Sequence, residues 1–144
     1  MVDVSGDIAT CNSPAGKEGW VIGINLPESE QLQKKQLQLH NLSVSTSGDL
    51  YQFLEHEGKR YSHIIDPKTG YGITTQKNVT VIADNTTIAD WLATACSIMP
   101  VRKAKRLAKK MHAKVLVAQM KNGRIIQSGS KNFNRFYYLN NRNH

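Results

Sequence analysis

Over most of this chain polar and apolar residues alternate with a period of two, and a helical period takes over only once, in the second half. VDVSGDIAT at the start and WVIGINL at 20–26 read as two strands joined by the turn-rich CNSPAGKEG. After the polar crossing PESEQLQKK, the segment QLQLHNLSVST alternates from Leu37 to Val44 and predicts one half-buried strand, broken at Gly48. DLYQFLEH and KRYSHIID flank Glu57-Gly58 and predict a hairpin over 49–66. NVTVIAD at 78–84 is a further strand. From Thr87 the helical period runs through IADWLATACSIM to Pro100, and VRKAKRLAKKM at 101–111 follows as a second helix with Val101, Ala104, Ala108 and Met111 inward. KVLVAQM, GRIIQS and RFYYLN close the chain as strands. The sum predicts a single α+β domain over 1–144, with antiparallel strands around a central helical pair that covers one face of the sheet. There is no Gly-rich strand-to-helix loop and no βαβ alternation, which argues against a Rossmann fold.

Composition narrows the class. With 144 residues and 40% hydrophobic content the chain can bury one sizeable core. The net charge of +8 is concentrated in the second helix, at Arg102, Lys103, Lys105, Arg106, Lys109 and Lys110; elsewhere basic and acidic residues nearly balance. No aromatic residues interleave these charges, so the expectation is a solvated helix face and no nucleic-acid partner. No run approaches the roughly 20 apolar residues of a membrane helix, so no transmembrane segment is expected. Met1 leads into strand-like VDV rather than a basic and apolar leader, so no export signal is expected in this chain. Cys11 and Cys96 lack CxxC or Cys/His spacing, which leaves neither a zinc site nor a disulfide framework. The Asn-x-Ser/Thr triplets at Asn41, Asn78 and Asn85 read as chance. The tripeptide Ser-Gly-Asp occurs twice, at 5–7 and at 47–49.

Two places hold more polar chemistry than a fold needs. On the first helix Ile88, Leu92, Ala95 and Met99 share one side, while Asp90 and Thr94, four residues apart, share roughly the opposite one. A carboxylate and a hydroxyl on one face suit Mg²⁺, which takes one or two protein oxygens and fills its sphere with water and phosphate. An Asp near a helix start and a Thr on a helix surface also need no ligand to explain them. In YSHIIDPKTGYG, His63 precedes Asp66 by three residues. Asp66 either orients the imidazole for base work or caps the Pro-Lys-Thr-Gly turn, and His63 is equally open to a purely structural role.

Taken in order, TSGDLYQFLEHEGKRYSHIIDPKTGYG and NVTVIADNTTIADWLATA closely resemble the ApbE family, the FAD:protein FMN transferases, and VDVSGDI and WVIGI are similar to its mid-chain strands. The resemblance implies the C-terminal half of that family's T-fold-related architecture. It also implies an enzyme that cleaves FAD at its pyrophosphate, transfers FMN to a Thr or Ser of an acceptor protein, and releases AMP with the help of Mg²⁺. Asp90 and Thr94 would be the metal ligands and His63 the general base. His63, Ile64, Thr46, Ser47 and Gly48 would bind FAD, with the Pro67 to Gly70 turn holding the histidine strand and Thr46-Ser47-Gly48 forming a tight bend. Family members are longer, and their first half supplies much of the FAD pocket, which implies a homo-oligomer or a complementing N-terminal half. Gly72 stands where the family usually has proline, implying a looser loop. Relatives are typically exported and lipid-anchored on the periplasmic side. The alternative is a non-catalytic flavin- or nucleotide-binding half-domain.

Overall fold

The computed structural model describes residues 1–24, 35–48 and 53–139. The end of the expected WVIGINL strand, most of the polar crossing, the first four residues of the expected hairpin and Asn140 lie outside them. The elements are β1 (Val2–Val4), β2 (Asp7–Ala9), β3 (Trp20–Gly23), β4 (Gln36–Leu39), β5 (Ser43–Gly48), β6 (Phe53–His56), β7 (Lys59–Ser62), β8 (Lys77–Ala83), α1 (Thr86–Ile98), α2 (Val101–Lys110), β9 (Lys114–Lys121) and β10 (Arg124–Gly129). Six strands form one antiparallel sheet in the order β1-β2-β5-β8-β9-β10, and β3–β4 and β6–β7 are separate two-stranded ladders.

The α+β expectation holds, with one addition. Successive strand residues point to opposite faces, and here both faces are covered. Val79, Val81 and Ala83 of β8, with Val115 and Val117 of β9, pack under Ala89, Leu92, Ala93 and Cys96 of α1 and Ala104 and Ala108 of α2. On the other face Val44, Ile82, Leu116 and Ala118 meet Ile22, Leu37 and Leu39 of the β3–β4 ladder and Phe133. Every residue of β8 is buried as a result, the polar Lys77, Asn78 and Thr80 included. The inner stripe of α1 is centred on Ala89, Leu92, Ala93 and Cys96 rather than on Ile88, Ala95 and Met99, because small side chains let the helix lie close on the sheet.

Three expected strands resolve differently. VDVSGDIAT is a hairpin: Ser5 and Gly6 take φ of 54° and 97°, Val4 pairs Asp7, and the Gly6 N–H donates to Asp3 Oδ1 at 2.9 Å. A two-residue loop with both φ positive matches the twist of the strands it joins. QLQLHNLSVST changes layer halfway: β4 pairs β3, Asn41 turns at φ 50°, and β5 enters the main sheet. The turn is fastened by Thr10, whose N–H and Oγ1 both donate to the Leu42 carbonyl at 2.9 and 2.7 Å. RFYYLN is not a strand. Phe133–Phe136 form a 3₁₀ turn, held by edge-to-face packing of the Phe133 ring on Phe136 and Tyr137 at 6.3 and 5.9 Å.

Thr46, Ser47 and Gly48 likewise make no tight bend; they are the last residues of β5, paired with Thr80, Val79 and Asn78. Gly48 is required there by space: a Cβ would run into the Asn78 side chain and come within 2.7 Å of the Lys77 carbonyl. The loop at Gly72 is also tighter than expected. Its Cβ position is taken by the Ser62 carbonyl, and Ser62 N–H to Ile73 O, Ile73 N–H to Ile64 O and Asp66 N–H to Tyr71 O each close at 2.9 Å.

Gly48→Ala is expected to lower the unfolding free energy by about 1–3 kcal/mol, the usual cost of forcing atoms into packed space, read from urea melts. Burial pushes the Cys96 thiol up to about 11. At pH 8 a thiol reagent should therefore label exposed Cys11 in the folded chain and reach Cys96 only on unfolding. Because the unfolded thiol ionises near its ordinary 9.0 and the buried one does not, the contribution of Cys96 to stability is full below that pH and is lost as pH rises toward 11.

Candidate active site

Alternate residues of β5 meet α1. Ser43 Oγ accepts from Thr86 Oγ1 at 3.2 Å and Ser47 Oγ from Thr94 Oγ1 at 3.4 Å. The period of two therefore turns Ser43, Ser45 and Ser47 toward α1. Ser45, buried between them, donates to Asp7 Oδ1 of β2 at 2.5 Å. Hydroxyls suit this stripe because they are small enough for a close helix and still satisfy polar neighbours.

The phase of α1 is set at both ends. Asn85 caps its start, with Oδ1 accepting the Ile88 N–H at 2.9 Å. At the other end Lys77, 5% exposed, donates from Nζ to the carbonyls of Met99 at 2.9 Å and Ser97 at 3.4 Å. A buried cation on the last carbonyls of a helix satisfies groups the helix cannot satisfy itself and complements its dipole. With Ala89, Leu92 and Ala93 inward, Asp90 and Thr94 are left exposed, Thr94 against β5.

His63 follows the end of β7 and is exposed, between Ser62 and Ile64, which are buried. The Ile64 N–H donates to Ser62 Oγ at 3.0 Å. Asp66 takes the capping role: its Oδ1 accepts the Lys68 N–H and its carbonyl the Gly70 N–H, both at 2.9 Å, with Gly70 at φ 73°. The turn thus braces the segment that carries the histidine.

Thr46, Ser47, Gly48, His63 and Asp90 line one cleft of about 570 Å³. Thr94 stands behind Ser47 rather than in the lining, and the Ile64 side chain is buried in the fold. The lining also includes Asp3, Ser5, Gly6, Asp7, Ser45 and Asn78, which sequence reading left without a role. The Ser-Gly-Asp echo overlaps part of the lining, since Ser5-Gly6 and Ser47-Gly48 both border the cleft. Asp49, the third residue of the second copy, lies outside the described residues.

The cleft is anionic. Asp3, Asp7 and Asp90 line it, and among the described residues no Lys or Arg does. A phosphate ligand entering it needs a cation alongside. Among the described residues no three His, Cys, Asp or Glu side chains group so as to hold a metal unaided. Of the two oxygen donors expected for Mg²⁺, Asp90 lines the cleft, while Thr94, one helical turn on, sits just behind the lining with its hydroxyl on Ser47 Oγ.

Comparison with known proteins places this geometry. Residues 1–117 match the model of the ApbE family. An FAD:protein FMN transferase of Haemophilus influenzae is 33% identical over 134 residues, covering 90% of this chain and 39% of the relative; one from Vibrio cholerae is 30% identical over 138 residues, covering 94% and 41%. The solved flavin transferase ApbE from Vibrio cholerae superposes with a TM-score of 0.81 at 30% identity, over 94% of this chain and 43% of its own. The apo form of the Pseudomonas stutzeri flavinyl transferase ApbE gives 0.76 at 28% identity. The chain spans about two-fifths of the length of these relatives. With a family match over residues 1–117, the chain belongs to the ApbE family.

Proposed function

We propose that this chain carries the base and the metal ligands of an FAD:protein FMN transferase, moving FMN from FAD to a Thr or Ser hydroxyl of an acceptor protein and releasing AMP. The observation that carries the reading is the convergence of His63 and Asp90, far apart in the chain, on one cleft that is lined by carboxylates and open to solvent.

In this reading FAD lies in the cleft with its pyrophosphate near Asp90. The acceptor Oγ attacks the phosphorus of the FMN half, and a new Oγ–P bond forms as the bond from that phosphorus to the AMP oxygen breaks. The bonding pair leaves with AMP, and the hydroxyl proton passes to the His63 imidazole. Asp90, with Thr94 one turn behind it, would hold Mg²⁺, which would supply the positive charge that phosphate oxygens require beside three carboxylates. Thr46, Ser47 and Gly48 border the ligand, and Gly48 leaves the end of β5 without a side chain there. The Asp66 turn keeps the His63 backbone from swinging, which matters because a base must lie within hydrogen-bond reach of the proton it takes. The chain spans about two-fifths of the length of these relatives, and the residues named here are the part of the FAD site that it carries.

The test is to incubate the chain with FAD and Mg²⁺, with and without a Thr-containing acceptor domain, and follow AMP and the acceptor's mass. Acceptor-dependent AMP release with FMN added is expected, abolished by chelation and by Asp90→Ala. His63→Gln should slow transfer by about 10²–10⁴-fold while FAD still binds. Transfer that persists unchanged in either variant would remove that residue from its role, and FAD binding without AMP would leave a binding module.

A further inference from the structure

Lys77 opens β8 and is buried, where a lysine is almost never found unless its charge is matched. Alternation along the strand puts its side chain on the face of Val79, Val81 and Ala83, so it runs beneath α1. There Nζ donates to the carbonyls of Met99 at 2.9 Å and Ser97 at 3.4 Å. Burying an ammonium is far costlier than burying a methyl group, so plain core packing would be served better by Val or Leu. The cation does something at that helix end that an apolar residue would not.

The backbone of the same residue serves the opposite wall of the cleft. Gly48, the last residue of β5, lies so close that a Cβ there would come within 2.7 Å of the Lys77 carbonyl. Lys77 therefore meets the end of β5 through its main chain and the end of α1 through its side chain. Next to these two contacts is the seam where Thr94 Oγ1 donates to Ser47 Oγ. Ser97 lies three residues beyond Thr94, about 4.5 Å along the helix axis, so the tether acts within one turn of the seam. The other side-chain bonds of this turn run from Ser97 Oγ to the Ala93 carbonyl at 3.0 Å and from Cys96 Sγ to the Ala104 carbonyl at 3.8 Å. Those hold α1 to itself and to α2, whereas the bonds from Lys77 tie it to the sheet.

We infer that Lys77 is a positioning residue: by fixing the end of α1 against the end of β5, it sets where Asp90 and Thr94 stand relative to the β5 side of the cleft, and with that the affinity for a divalent cation. The inference rests on the flavin-transfer reading, in which Asp90 and Thr94 would hold Mg²⁺, and adds the residue that keeps them in place. Lys77 touches neither cation nor nucleotide; it acts through the helix. Such ions tolerate little departure from octahedral geometry, so a small shift of the helix that carries the donors weakens binding even where the fold survives.

The probe is Mn²⁺ alone, titrated into the purified chain and followed by the electron paramagnetic resonance of the free ion. Lys77→Met keeps the length of the side chain without its charge, and Lys77→Gln, shorter but polar, serves if Lys77→Met does not fold. Circular dichroism and urea melts fix conditions in which each variant is folded. Asp90→Ala is expected to abolish binding, and Lys77→Met and Lys77→Gln to weaken it by about 10–100-fold, as loss of a group that orients a metal ligand does. Lys77→Arg, which can still donate to both carbonyls, should restore most of the affinity. Amide exchange over residues 94–99 should quicken in Lys77→Met while that of β10 stays unchanged. A lysine with only a structural role would lower the urea midpoint and leave the Mn²⁺ affinity of the folded chain as in wild type. That result, with binding still lost in Asp90→Ala, overturns the role of Lys77 and leaves the flavin-transfer reading standing. Binding that survives in Asp90→Ala, or a wild-type chain that takes up no Mn²⁺, overturns the inference together with the metal part of that reading.

Discussion

The burial of β8 on both faces is the constraint on which the rest of the molecule depends. A central strand covered on two sides has no surface to spare for polarity, and the one lysine it carries must find acceptors inside the protein. Lys77 finds them on the last carbonyls of α1. The helix that lies on one face of β8 is thereby tied to the start of the same strand, and its rotation is fixed. Asp90 and Thr94 occupy their positions because Ala89, Leu92, Ala93 and Cys96 are already committed to the core.

The cleft grows out of this packing. β5 borders β8, and its serines accept the close approach of α1, so the rim of the sheet beside the helix is lined with hydroxyls rather than methyl groups. β2 adds Asp7 on the same side. The result is a hollow with three carboxylates at the edge of a well-packed sheet, with His63 delivered on a separate braced segment. Rigid support of a few functional side chains by ordinary core packing is what a site for charged chemistry requires. The same chain belongs to the ApbE family.

His63 is the hinge of the functional picture because it borders two surfaces of unlike chemistry. The cleft is acidic and suited, with a cation, to phosphates. The depression on its other side is walled by Leu54, Tyr61, Ile65 and Tyr71.

The sequence by itself determined the elements whose pattern depends only on neighbours a few residues away. Both helices, the hairpin around Glu57-Gly58, strands β8 and β9 and the Asp66 turn could all be read from period and turn chemistry. So could Asp90 and Thr94 as a pair, since four residues on a helix share a face wherever the helix lies. What it could not reveal was any change of layer. QLQLHNLSVST keeps its alternation straight through the turn at Asn41, and VDVSGDIAT keeps its own through a two-residue hairpin, because alternation records which way a side chain points and not which sheet the strand has joined. The aromatic run RFYY looked like a strand because the same rings serve a compact turn equally well when Phe133 has a core to enter. Only the tertiary structure decided that Asp3, Asp7 and Ser45 share a cleft with His63 and Asp90. Meetings of that kind depend on strand order and helix phase, and those are set by packing across the whole sheet rather than by any local run of residues.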